Sequence, residues 1–323
     1  MEFAPDFFQE ETRCDCVISP MMKRSWAAQM EVYQVVMEIC EKNRLPYFAQ
    51  GGTLLGAVRH HGFIPWDNDL DICMKREDYR ELIRILPREL PKGFHVRGIH
   101  SETPTGIEVT DSIYQLYVVA ERPRWDRNEY MKYFHGYPFE YIGIDIWPID
   151  CVPFDQEEYE IQKSLFRSAY EIYWNWNKLQ ETGMLEQCLI KLEEMAGFTI
   201  PKENARRHLV KRMDSIMSMY SMEEGDHVQQ FFCCTRDLPV WRKDCYDDVV
   251  YMPFENIELP VPVGYEEILT CNYGDWHKCV NDGRDHGFGE MEEALWKELQ
   301  AAGFSGSVEE FCQRVLAGEL TCL

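Results

Sequence analysis

The sequence predicts a mixed α/β (α+β) protein, and three observations carry that expectation. Through the first half of the chain, short apolar runs of strand length alternate with segments whose apolar residues recur at helical spacing. Residues 156–220 then show helical patterns throughout, rich in Trp, Tyr, Leu and Met. After residue 228, strand and turn character returns before a helical close. With 323 residues and 45% hydrophobic composition, the chain has ample material for a core.

Each element follows from local chemistry. In residues 24–42, Trp26, Met30, Tyr33, Val36, Met37 and Cys40 lie at helical spacing, and Asn43 with Pro46 supplies the stop. Residues 47–50 form a short apolar strand, Gly51-Gly52 a tight turn, and residues 53–59 a short helix. Residues 68–74 read as a strand and 76–86 as a helix that Pro87 ends. Residues 94–99 and 112–120 alternate as strands, and 141–149 is an apolar run carrying a single acid, Asp145. The helical middle breaks at Gly183, Gly197 and Pro201. Residues 228–234 and 249–262 are strand and turn, whereas 265–271 and 291–302 are helical. The expected division is an α/β core at 1–152, a helical subdomain inserted or appended at 153–227, and strands and helices at 228–323 that pack back on the core. No repeat, low-complexity tract or long Gly/Ser linker marks these boundaries, so they are soft.

Charge excludes some partners. A formal charge of −23, from 56 acidic against 33 basic residues, argues against broad binding of nucleic acid or anionic lipid. The N-terminal stretch lacks the basic and apolar regions of a secretory signal, and no run approaches ~18 apolar residues. A cytoplasmic location with no transmembrane segment is expected, peripheral membrane association being left open. Thirteen cysteines without a CxxC pair read as mostly buried thiols. Cys14-x-Cys16 and Cys233-Cys234 each lack a second ligand pair at zinc spacing, so no structural zinc is expected.

The chemistry concentrates in GGTLLGAVRHHGFIPWDNDLDI, residues 51–72. On a strand, Asp69 and Asp71 project from one face, ~6–7 Å apart along the chain, while Leu70 and Ile72 face the core. Adjacent carboxylates repel unless a cation lies between them, and hard oxygen ligands favour Mg²⁺. A calcium loop counted from Asp67 fails, because Ile72 stands where glycine is needed and Asp78 where glutamate is needed. Gly51 and Gly52 let the backbone approach a phosphate, and with Thr53 they open a helix whose free N–H groups suit a diphosphate. Arg59, further along that helix, is placed to reach a phosphate oxygen. Trp66, beside Pro65, anchors the loop into the acid strand and offers a face for a nucleotide base. His60 and His61, with no carboxylate partner in view, read as loop histidines.

This stretch resembles the signature of the LicD family, whose members transfer phosphocholine or related phospho-alcohols from a CDP-activated donor to a glycan. The resemblance continues at PFENIELPVPVGYEEILTCNYGDW, residues 253–276, and the helical middle matches no family motif. It implies a nucleotidyltransferase-like mixed sheet flanked by helices, with Asp69, Asp71 and a third acid, Asp145 in GIDIWPID, as catalytic and metal-holding residues. It also implies that Gly51, Gly52, Thr53, Arg59 and Trp66 bind phosphate or nucleotide, and that Asp275 and Trp276 support the site. Asn68 departs from the family's usual Asp and adds no charge. The implied reaction uses Mg²⁺, with Mn²⁺ as a substitute. It moves phosphocholine or a similar group from a CDP-alcohol to a glycan or glycolipid such as lipopolysaccharide or teichoic acid, releasing CMP. Asp145 stands as metal ligand or as proton acceptor, and the chain's many tryptophans make an aromatic cage for choline affordable without identifying its members. Two other readings remain: a nucleotidyltransferase moving NMP from an NTP to a small acceptor, and a binding protein of the same fold without activity.

Overall fold

The computed structural model describes residues 1–4, 6–98, 116–231, 240–280 and 288–321. Helix α1 spans Pro20–Asn43; the Ser19 hydroxyl caps its start by accepting from the Met22 N–H, and Arg44, at φ +58°, closes its end. Trp26, Met30, Tyr33 and Val36, one helical stripe, are all buried. The chain then enters the sheet through β3 (Phe48–Ala49), α2 (Gly51–His60), β4 (Asp71–Lys75) and α3 (Arg76–Glu89). Strands β5 (Phe94–Arg97) and β6 (Leu116–Glu121), helix α4 (Arg127–Tyr133) and the long β7 (Tyr141–Val152) follow.

The sheet is mixed, in the order β3-β4-β7-β6-β5. Only β4 and β7 run parallel among these neighbours, Asp71 facing Asp145 in register. Strand β7 organises the sheet because it is long enough to pair with β6 in its first half and β4 in its middle. Its last residues, Asp150–Val152, pair with β8 (His227–Gln229), which in turn pairs with β9 (Trp241–Arg242). Ile142, Ile144 and Ile146 alternate along β7 and are buried.

Helices α5 (Gln156–Trp174), α6 (Trp176–Glu181), α7 (Leu185–Ala196) and α8 (Ala205–Met217) share their own apolar cluster, centred on Phe166, Ala169, Leu192, Leu209 and Met213. A hairpin of β10 (Val249–Phe254) and β11 (Ile257–Pro262) adds Phe254, Leu259 and Val261 to the main core. Helices α9 (Tyr265–Tyr273), α10 (Phe288–Ala301) and α11 (Val308–Leu316) complete the fold.

Several boundaries differ from expectation. Strand β4 starts at Asp71 rather than residue 68, because side chains of α1 take the Asp67 and Asn68 carbonyls that a ladder would use. The glycine pair lies inside the first turn of α2. Pro87 does not end α3, which runs to Glu89; Leu90 N–H still bonds the Leu86 carbonyl, so one missing donor in the last turn is tolerated. The hairpin of β1 (Glu11–Arg13) and β2 (Cys16–Ile18) was not anticipated, since three-residue strands are too short to show a period, and neither were α4 and α11. Residue 99, residues 112–115 and residues 232–234 of the expected strands lie outside the described residues.

Candidate active site

Asp71 is the best-secured acid. Its N–H donates to Thr53 Oγ1 (2.8 Å), its carbonyl accepts from the Gln50 N–H (3.1 Å), and its Oδ1 accepts from Trp147 Nε1 (3.0 Å). Thr53 is itself buried, so its hydroxyl serves the acid strand. Asp145 sits opposite Asp71 on β7, and its N–H donates to the Leu70 carbonyl (3.2 Å), extending the ladder one residue before β4. Leu70 and Ile72 are buried, so the expected alternation holds and the acids share the other face.

Asp67 joins them. Trp26 Nε1 donates to its carbonyl (2.9 Å), and its own Oδ1 accepts from the Asn68 N–H (3.0 Å). A Cβ on Gly52 would overlap Asp67 Oδ2, whereas Gly51, at φ +55°, lies against Asp71 Oδ2. Gly52 is therefore required by the packing of α2 against Asp67, and Gly51 by its positive φ, since a Cβ there would lie at ordinary contact distance (3.8 Å) from its nearest acid atom. Burial raises the Asp71 carboxyl well above the usual carboxylate range, and the charges of Asp69, Asp145 and Asp67 add to that. Burial, then Asp69, pushes Asp67 up to about 8.

Asp67, Asp69 and Asp71 border a cleft of about 390 Å³, and Asp145 lies behind Asp71 without lining it. Gly52, Arg59, Trp66, Asp67, Asp69 and Asp71 line one wall; Tyr273, Asp275, Trp276 and Lys278 line the other. Arg59 joins the walls, since its Nη1 donates to the carbonyls of Trp276 (3.1 Å) and Lys278 (2.8 Å). Lys278 pairs with Asp275 at 2.8 Å. The unprotonated His60 Nε2 accepts from Arg59 Nε (2.8 Å), and burial together with Arg59, Arg13 and His61 holds the imidazole down near 4. It is neutral at physiological pH and too weak a base to collect a proton there.

The structure sets Asp71 opposite Asp145 on neighbouring strands and Gly51 against Asp71, while Gly52, Asp69, Arg59 and Trp66 line the cleft. The sequence reading missed Asp67 as a member, although it opens the Asp67-x-Asp69-x-Asp71 alternation. Trp147 was also missed, yet it stands two residues after Asp145 and so on the same strand face. Tyr273 and Lys278 carry no local signal; only tertiary folding brings them in. Of the described cysteines, Cys40, Cys73, Cys151, Cys245 and Cys312 are buried, but Cys14, Cys271 and Cys279 are exposed, so burial is less general than composition suggests.

Gly52→Ala is expected to push the Asp67 carboxylate out of place and weaken Mn²⁺ or Mg²⁺ affinity by about 10-fold or more, as loss of a supporting contact does at other metal sites. Isothermal titration of the folded variant checks this, and unchanged affinity would show that Asp67 takes no part.

The fold and the acids define an α/β protein with an acid-floored cleft next to a helix N-terminus. Residues 44–179 match the family model described as LicD/FKTN/FKRP, nucleotidyltransferase domain. The chain is 26% identical over 247 residues to the lipopolysaccharide cholinephosphotransferase LicD of Haemophilus influenzae, covering 74% of this chain and 85% of that protein. An uncharacterised protein of Rickettsia prowazekii is 44% identical over 70 residues, 21% of this chain and 26% of its own. Human ribitol 5-phosphate transferase FKRP is 41% identical over 51 residues, 16% of this chain and 10% of that protein. Among the described residues, no helix is long and apolar enough to cross a membrane.

Proposed function

We propose that the protein transfers phosphocholine, or a related phospho-alcohol, from a CDP-activated donor to a hydroxyl of a glycan or glycolipid, releasing CMP. The observation that carries this reading is the in-register pairing of Asp71 with Asp145 on parallel neighbours β4 and β7, with Asp69 and Asp67 beside Asp71 at the cleft floor. The relatives named above support the class of group moved, one being a cholinephosphotransferase and another a ribitol 5-phosphate transferase.

The donor set consists of carboxylate oxygens, the ligand type that Mg²⁺ or Mn²⁺ takes; Asp69, Asp71 and Asp145, with Asp67 alongside, would hold the ion once their side chains close in, since no three of these acids bring ligand atoms within 4.8 Å of one another among the described residues. Burial first, and then the neighbouring acids' charges, raise Asp71 and Asp67. When bound, the cation supplies charge neutralisation for the diphosphate. The chain's own groups do the positioning. The first amides of α2, at Gly51 and Gly52, offer N–H donors to an anion. Arg59 is held at the rim by two carbonyls, Lys278 adds positive charge on the opposite wall, and Trp66 offers a ring face to the base. Thr53 and Trp147 fix Asp71 from either side, which limits the reorganisation needed during transfer. A cytoplasmic enzyme working beside the membrane surface fits a lipid-borne acceptor and needs no membrane-spanning helix.

The test is incubation with Mg²⁺ and, separately, CDP-choline, CDP-ribitol, CDP-glycerol and the NTPs, reading CMP against pyrophosphate. CMP from one CDP-alcohol is expected. Pyrophosphate from an NTP, with no CMP from any CDP-alcohol, would replace this reading with nucleotidyl transfer.

A further inference from the structure

Beside the acid cleft, three segments distant in sequence bring a second and chemically different set of donors together. Cys14 stands in the two-residue turn between β1 and β2, His60 is the last residue of α2, and Cys279 lies on the segment after α9. One ligand atom from each lies within 4.8 Å of the other two, and Cys14 Sγ is 3.9 Å from His60 Nδ1. A tetrahedral zinc ion, with bonds of about 2.3 Å to sulfur and about 2.0 Å to nitrogen, holds such atoms roughly 3.5–3.8 Å apart. Closure by about 1 Å or less would seat one.

We propose that Cys14, His60 and Cys279 form a zinc site at the rim of the cleft, with its fourth position open to water. The ligand types set it apart from the cleft floor: two sulfurs and an imidazole suit a softer ion than the carboxylates of Asp69, Asp71 and Asp145, so the two sites select different metals. The local backbone points the same way. Cys14 and Asp15 both adopt positive φ, +50° and +58°, in a turn position that Asn and Gly fill far more readily. That turn brings Cys14 over the end of α2. Cys16, two residues on, instead contacts the Pro65 carbonyl through Sγ (3.8 Å) and stays outside the set.

Binding would release two thiol protons to solvent as both sulfurs become thiolates. With the ion on Nδ1, the His60 ring proton resides on Nε2, so the Arg59 Nε contact opens while Nη1 keeps the Trp276 and Lys278 carbonyls. Cys279 follows Lys278 directly, so the ion would clamp the wall formed by Trp276 and Lys278 onto α2. The site is thus a clamp on the cleft, and it stands on geometry independent of the proposed transfer reaction.

The test uses the full chain, free of affinity tags and reduced, with zinc measured by mass spectrometry after dialysis against excess zinc and then buffer. One zinc per chain is expected, together with a thiolate charge-transfer band on titration with cobalt(II). Cys14→Ser and Cys279→Ser are each expected to weaken binding at least 10-fold, whereas Asp71→Asn, on the cleft floor, leaves it unchanged. The cobalt spectrum of the unsubstituted chain decides the matter even if a variant fails to fold. No zinc with both thiols reduced, zinc retained by Cys14→Ser/Cys279→Ser, or no thiolate band with cobalt would each overturn the proposal.

Discussion

Asp71→Asn is expected to lower transfer by about 10²–10³-fold or more, in the range seen when one preorganised charge-stabilising group is removed. The change keeps the side chain's shape and an oxygen to accept from Trp147 Nε1, so the loss reports on charge rather than on packing. Stability of the metal-free protein should move the opposite way. Asp71 is held well above its usual range by burial and by Asp69, Asp145 and Asp67, so the folded state binds a proton that the unfolded chain has already released. Its stabilising contribution is present below the ordinary carboxylate pKa of about 4 and is lost as pH rises. Asp67, pushed up to about 8, adds to the same loss through that pH. Without a divalent cation, the unsubstituted chain should therefore melt at a lower temperature at pH 8 than at pH 5, relative to Asp71→Asn. Mg²⁺ should close the gap. Unchanged turnover, or a gap that does not depend on pH and metal, would remove Asp71 from the centre of the site.

How much of this could be read beforehand depended on how local each cause is. The glycine pair and the acid alternation were legible because a two-residue strand period and a glycine at a helix start are short-range effects, whereas Asp145 came only from the resemblance, its place opposite Asp71 being a contact between strands. Leu70 and Ile72 turned inward as that period requires. The start of β4 was misplaced for a non-local reason: Trp26 and Gln29 of α1 hold the backbone at Asp67 and Asn68, and α1 is 24 residues that end well before them. The second wall of the cleft was invisible for the same reason. Residues 253–276 resembled the family, but nothing in their spacing says that the carbonyls of Trp276 and Lys278 receive Arg59. The cysteines were read as neighbours in sequence, which is not how the fold groups them. Cys14 was weighed with Cys16, whereas folding sets it near His60 and Cys279.

Arg76→Ala is the substitution expected to cost the most stability, about 3–5 kcal/mol, because it strips one partner from a buried ion pair. Arg76 opens α3 and is 3% exposed, and Asp150, near the end of β7, is 1% exposed. Arg76 Nε and Nη2 donate to the two carboxylate oxygens of Asp150, both at 2.6 Å, and Nη1 donates to Asp214 of α8 at 2.7 Å. One guanidinium thereby joins the sheet that carries Asp145 to the helical cluster. Burial raises Asp150 even with Arg76 opposing it, so without the arginine that carboxylate has to take up a proton or pull in water. Arg76→Lys should recover only part of the loss, since an ammonium cannot match the two-oxygen geometry. Arg76→Met/Asp150→Asn should be less destabilised than Arg76→Ala, because the fully buried Asp150 charge is gone and only the more exposed Asp214 loses its partner. Urea denaturation at neutral pH ranks the three. A double variant no more stable than Arg76→Ala would mean that lost packing, and not the stranded Asp150 charge, sets the cost.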